Sequence, residues 1–80
     1  MPRYFFHLVD SVDIVLDPEG VSMSPDAVAG AALLQARDCM SADVRSGRLR
    51  LDYRIDVHDE NDALVHSLAF ADALEIVPAR

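Results

Sequence analysis

The run Arg3-Tyr4-Phe5-Phe6-His7-Leu8-Val9 constrains this chain more than any other segment. Its aromatic and apolar side chains suit a pleated surface, and Pro2, which has no N–H to offer a ladder, suits the first position of a strand. With a period of two, Tyr4, Phe6 and Leu8 point one way and Phe5, His7 and Val9 the other. Both faces are largely apolar, and such a strand expects cover on both sides. It is therefore expected at the centre of its sheet. The rest of the chain supplies only one long helical pattern, so the second apolar face, or an open sheet edge, is expected to meet another subunit. Phe5, His7 and Val9 are the expected oligomer contacts, and a twofold dimer is the commonest closed arrangement.

Size points the same way. Eighty residues make a single domain, residues 1–80. A chain this short buries only about 60–65% of its unfolded surface, so its core is marginal alone. The hydrophobic content of 51% is high for that size and favours oligomerisation as the remedy. Disulfides are no remedy, because Cys39 is the only cysteine. Within a helical pattern it reads as a small buried hydrophobe, with no adjacent motif to make it a nucleophile.

Charge and hydropathy narrow the surroundings. Fourteen acids against seven bases leave a net charge of −7, and every base is arginine. Such a chain repels phosphate backbones at long range, which argues against general nucleic-acid binding. No stretch approaches the ~20 apolar residues of a membrane span. The first apolar run carries Arg3 and His7 and stops at Val9, so no secretory signal is expected and the cytoplasm is the expected compartment.

After the first strand, Asp10-Ser11-Val12-Asp13 reads as a turn, Ile14-Val15-Leu16 as a short second strand, and Asp17-Pro18-Glu19-Gly20 as another turn. Val21-Ser22-Met23 leads into a helix from Pro25 to about Ser46. Ser24 is its expected cap, Pro25 its first residue and Gly47 its C′ glycine. Asp26 and Arg45 suit the two ends of the dipole. Ala29, Ala32, Leu33, Ala36, Met40 and Val44 form the expected core stripe, with Cys39 on its margin. Leu34 falls off it, either exposed or part of a contact surface. Tyr53, Ile55 and Val57 then alternate with Arg54, Asp56 and His58, the cleanest amphipathic strand. Asp59-Glu60-Asn61-Asp62 is a polar hairpin turn. The return strand runs from Ala63 to Phe70, with Leu64, His66, Leu68 and Phe70 on one face. Asp72 is expected to cap a short turn through Ala73-Leu74-Glu75 before Ile76 and Val77. The predicted fold is α+β, a two-layer ββαββ domain whose mostly antiparallel sheet carries one long helix on one face.

The opening Pro2-Arg3-Tyr4-Phe5-Phe6-His7, the Asp17-Pro18-Glu19-Gly20 turn and the alanine-rich helix ending at Gly47 occur here together. So do Ile55-x-Val57-x-Asp59-Glu60 and Leu68-x-Phe70-x-Asp72-Ala73-Leu74. In these motifs the chain resembles a family of short uncharacterised alpha-proteobacterial proteins known only as a domain of unknown function. The resemblance spans Pro2 to about Val77. Its motifs are structural, so it implies a fold boundary and no activity. The strand–strand–helix–strand opening is also similar, in topology alone, to HicB-type antitoxin domains, which pair with a small toxin.

Among candidate sites, His7, His58 and His66 lie on three different strands, and an antiparallel sheet can bring two of them together. With Asp10 or Asp56 they have metal-ligand chemistry but no metal-ligand spacing. Asp59-Glu60-Asn61-Asp62 lacks the length and glycine of an EF-hand loop. Asp10, Asp13, Asp17 and Glu19 crowd the first two turns. Arg45, Arg48, Arg50 and Arg54 fall within ten residues that hold one acid, Asp52, and form the expected partner-binding patch; intramolecular pairing with Asp43, Asp52 and Asp56 is the bland alternative. No glycine-rich phosphate loop or nucleophile elbow is present. No catalytic residue, metal or cofactor is expected. The expected function is a cytoplasmic, non-enzymatic protein-interaction or regulatory module that acts as a homodimer with an unidentified protein partner. The alternatives are a ligand- or metal-responsive sensor built on His7 and His58, and an antitoxin-like component.

Overall fold

The computed structural model of the chain describes residues 1–79. The apolar run forms β1 (Arg3–Val9), and it lies at the centre of a five-stranded sheet. On one side β1 pairs with β2 (Ile14–Val15) through Leu8 and Val9, and with β3 (Val21–Ser22) through Arg3 and Tyr4. On the other side it pairs with β4 (Arg54–His58), which pairs in turn with β5 (Leu64–Ala69). Every pairing is antiparallel. One helix, α1 (Val28–Arg45), covers a single face. The α+β architecture, the central first strand and the single covering helix agree with the sequence reading. A third strand before the helix does not, since Val21-Ser22 was expected only as a lead-in.

Between the stretches of β1 bonded to β2 and β3, Phe6 has no strand opposite it on that side. The carboxylate of Asp17 fills that gap, accepting the Phe6 N–H at 3.1 Å through Oδ2. Its Oδ1 accepts from Gly20 at 3.1 Å and Glu19 at 3.3 Å, closing the turn that joins the two short strands. A side chain thus takes the place of a strand.

The helix ends as expected. Gly47, at φ 93°, donates its N–H to Val44, and Arg48 donates to Asp43, the paired bonds of a Schellman motif. Its start differs. Pro25–Ala27 forms a 3-10 turn, and the Ser24 carbonyl, rather than its hydroxyl, accepts the Ala27 N–H at 3.0 Å. Proline has no N–H to be capped, and the tighter turn leaves the backbone oxygen as the natural acceptor.

Val28, Ala32, Ala36 and Met40 are the buried helix residues, and they pack with Tyr4, Phe6, Ile55, Val57, Phe70 and Ala73. Ala32, Ala36, Ile55 and Val57 have no exposure at all. Small residues at the middle of the helix let it lie close on the sheet, and burying each Ile, Val or Phe contributes roughly 1.5–3 kcal/mol. The expected stripe needs two corrections: Ala29 is exposed, and so is Val44, at 60%. The contact follows the i+4 ridge, which runs oblique to the helix axis as it crosses a twisted sheet. Ala29 lies off that ridge, and Val44 lies beyond the last core contact. Leu34 is 64% exposed.

Two further expectations shift. A bulge between Val57 and His58 sets Leu64 opposite His58, so Leu64 leaves the face shared by His66 and Leu68. The closing turn is a 3-10 turn at Phe70–Asp72, preceded by Ala69 and not capped by Asp72. Phe70 is buried there against Tyr53, and Ile76 and Val77 are exposed.

Candidate functional site

The face of the sheet without a helix carries most of the singled-out residues. Alternation puts Phe5, His7 and Val9 of β1 and Arg54, Asp56 and His58 of β4 there. His7 and His58 are thereby brought together, with ring centroids 5.1 Å apart and planes tilted by 45°. His66 stands on the other face, where it borders a 290 Å³ cavity with Tyr4, Val28 and Val65.

Hydrogen bonding defines what the histidine pair can do. His7 Nδ1 accepts the Asp17 N–H at 3.0 Å. An accepting Nδ1 carries no proton, so neutral His7 carries it on Nε2 and has no free lone pair for a metal. Ligating histidines show the reverse arrangement, in which the second nitrogen donates. The His58 Nδ1 is buried without a partner. No group of three or more His, Cys, Asp or Glu among the described residues is arranged to hold a metal ion.

The acids of the first two turns serve the backbone. Asp10 Oδ1 accepts from Val12 at 2.8 Å and Asp13 at 2.6 Å. These two bonds, more than the nearby Arg50, hold its carboxyl below the usual value against a smaller opposing effect of burial. Burial pushes the Asp17 carboxyl up, but the Gly20, Phe6 and Glu19 amides together outweigh it, and the net direction is down. Asp59 Oδ1 closes the β4–β5 hairpin by accepting from Asn61 and Ala63, with Asp62 at φ 61°.

The four arginines do not behave as one patch. Arg50 bonds Asp52 at 2.9 Å, stands 3.6 Å from Asp10 and lies over the Tyr53 ring at 4.7 Å. Arg54 pairs with Asp56 at 3.0 Å, and Asp56 also accepts from the Ser67 hydroxyl at 2.7 Å. Arg45 and Arg48, at the end of α1, are exposed and have no ion pair among the described residues. They flank Val44 and Leu49, which line a shallow hollow with Gly47 and Arg48. Arg37, absent from the sequence reading, donates from Nε to the Ala73 carbonyl at 2.8 Å and ties the helix to the closing turn.

The three expected oligomer contacts also separate. Val9 is 5% exposed within its own chain, while Phe5 and His7 are half-buried and keep some surface. The Gly20 turn packs against Phe5: a Cβ built on Gly20 would stand 2.8 Å from the Phe5 ring. The feature that sequence reasoning missed is the Asp17 carboxylate in the β1 ladder. An Asp before Pro signals a turn, and nothing local marks a contact eleven residues back.

No helix among the described residues is long and apolar enough to cross a membrane. Searches of curated proteins and of solved structures return no match. A family model, by contrast, matches residues 3–71, from the start of β1 to the closing turn. That span contains every strand and the helix, and on it the chain belongs to the family described as domain of unknown function (DUF6894).

Proposed function

We propose that this chain is a non-enzymatic protein-interaction or regulatory module of the cytoplasm that works as a homodimer. The observation that carries the reading is the incomplete cover of the sheet, which is bare on one face and open along the β5 edge. The helix shields Tyr4, Phe6, Ile55 and Val57, while Phe5, His7 and His58 hold the opposite face with no helix over them. A second copy supplies what an 80-residue chain lacks, more apolar burial per residue. The polar groups near that face are engaged in structure: Asp17 in the ladder, His7 on the Asp17 amide, Asp56 on Arg54 and Ser67. This arrangement favours a binding module over a catalytic or metal-sensing one.

The partner contact is assigned to the C-terminal end of α1. Arg45 and Arg48 offer two cations beside apolar Val44 and Leu49, a mixture suited to an acidic segment of another protein. Sedimentation equilibrium of the whole chain tests the reading, with a dimer expected at micromolar concentration. A monomer throughout that range refutes it. Reversing the charges of Arg45 and Arg48 is expected to leave the dimer intact and weaken capture of an acidic partner.

A further inference from the structure

The two edges of the sheet are built differently. On the β2–β3 side neither strand exceeds two residues, and the Asp17 turn interrupts them; short, broken strands blunt an edge. The β5 edge has six residues, no proline and no charged side chain, in a chain whose net charge is −7. Charges and prolines are the usual protection of an exposed edge, and β5 has neither. Its bulge lies at the Leu64 end and leaves His66–Ala69 in regular register with β4. Leu64 and Val65 are 57% and 47% exposed.

Ladder alternation fixes which groups of β5 face outward. The Phe6 N–H points away from β4, toward Asp17. Its neighbour Val57 therefore directs its own N–H and C=O toward β5, where it meets His66. Independently, the Phe70 N–H donates to the Tyr53 carbonyl at 2.9 Å. Both observations put His66, Leu68 and Phe70 in the inner ladder. The N–H and C=O of Ser67 and Ala69 face outward, with no partner among the described residues.

We infer that β5 pairs antiparallel with β5 of a second copy, across a twofold axis at Ser67, joining the two sheets into one. This rests on the homodimer reading above only for the presence of a second copy; it places the contact at the open β5 edge and leaves the Phe5, His7 and His58 face outside it. At that axis Ser67 exchanges both backbone bonds with Ser67 of the partner subunit, and His66 lies opposite the partner subunit's Leu68. Twofold pairing sets residues 66, 67 and 68 beside their own copies, so a charge at any of them would meet its own kind. Leu-Val-His-Ser-Leu-Ala contains none. Asp56, one strand inward, accepts from the Ser67 hydroxyl at 2.7 Å and is paired with Arg54 at 3.0 Å. For two copies of an acidic protein, an uncharged edge is the approach of least repulsion. The charge pattern thus suits a twofold pairing of this strand with itself.

Two variants of the full chain test the interface. Ser67→Lys sets two ammonium groups opposite each other at the axis, while in the monomer the position is exposed on an edge strand, where lysine is well tolerated. The dimer dissociation constant is expected to rise about tenfold or more, with the circular dichroism of the monomer unchanged. Ser67→Cys, in a Cys39→Ala background, tests the register. Cα atoms of a hydrogen-bonded antiparallel pair are about 5.5 Å apart, within the span of a disulfide. Mild oxidation is expected to give a covalent dimer faster than a Leu34→Cys control on the exposed side of α1. A dimer that withstands Ser67→Lys and fails to cross-link through position 67 overturns the β5 interface while leaving the homodimer standing. A wild-type chain that sediments as a monomer overturns both.

Discussion

Replacing Asp17 with Ala is expected to destabilise the fold by about 2–4 kcal/mol. The largest share comes from Phe6, whose half-buried amide loses its acceptor; an orphaned donor of this kind costs about 1–3 kcal/mol. The Glu19 bond at 3.3 Å is exposed and the Gly20 bond at 3.1 Å is part-buried, so water replaces them in part and together they add about 1 kcal/mol. At about 0.05–0.15 kcal/mol per residue, a domain of this size has only about 4–12 kcal/mol to lose. Asp17→Asn separates the two sides of the carboxylate. The structure uses both oxygens as acceptors, and an amide accepts on one side only, so its cost is expected near half that of Ala. Urea unfolding followed by circular dichroism reads both, with the Ala midpoint lower by about 2 M or more. The pH dependence supplies a sign. The folded carboxyl is held below its ordinary value, so its contribution is complete above that value, near pH 4, and is lost as pH falls through the depressed one. The gap between wild type and Asp17→Ala is therefore constant from neutral pH to about pH 5 and narrows below about pH 4. An Ala variant as stable as wild type, or a gap that persists unchanged in acid, refutes the role of Asp17 as the missing rung of the ladder.

Gly20→Ala is expected to cost more than 1 kcal/mol, because φ is 70° and a Cβ would meet Phe5, Tyr4 O and Arg3 within 2.9 Å; Gly30→Ala, on an open side of α1, is expected to gain about 0.5–1 kcal/mol. Thermal denaturation of the two variants side by side decides this, and movement in the same direction contradicts it. The Cys39 thiol is pushed up by burial first and by Asp43 and Asp38 second, so its reaction with a disulfide reagent near pH 8 is expected to be slower than that of a free thiol; an equal rate would place it outside the helix margin.

Much of this fold is legible in local pattern. The two-sided apolar run identifies β1 as central, Tyr53 to His58 alternates strictly, and Gly47 stops the helix in a conformation few other residues adopt. The features that escaped reading are non-local. Val21-Ser22 is too short for any periodicity and becomes a strand only because Arg3 and Tyr4 lie beside it. The bulge that turns Leu64 over leaves no signature among flexible, polar hairpin residues. Arg45, Arg48, Arg50 and Arg54 form a patch along the sequence because they fall within ten residues. Space divides them, with Arg50 and Arg54 matched to acids that alternation and a turn carry within reach, and Arg45 and Arg48 left at a helix end. The two histidines could be expected to meet, but the tautomer of His7 is imposed by a backbone amide ten residues away.

The placement of β1 also governs the order in which this molecule can be assembled. The strand synthesised first has its longest pairing with one made some fifty residues later, and the most deeply buried aromatic ring, Phe70, arrives later still. Before then β1 has only two short neighbours, and so small a meander is marginal in water. Closure of the loop between β1 and β4 has to come before most of the sheet bonds form, which places the chain among slower folders for its length. A nascent chain halted before β4 holds Tyr4 and Phe6 on a strand without its main ladder, and even one halted before Phe70 has the helix and β4 but lacks the ring that completes their core.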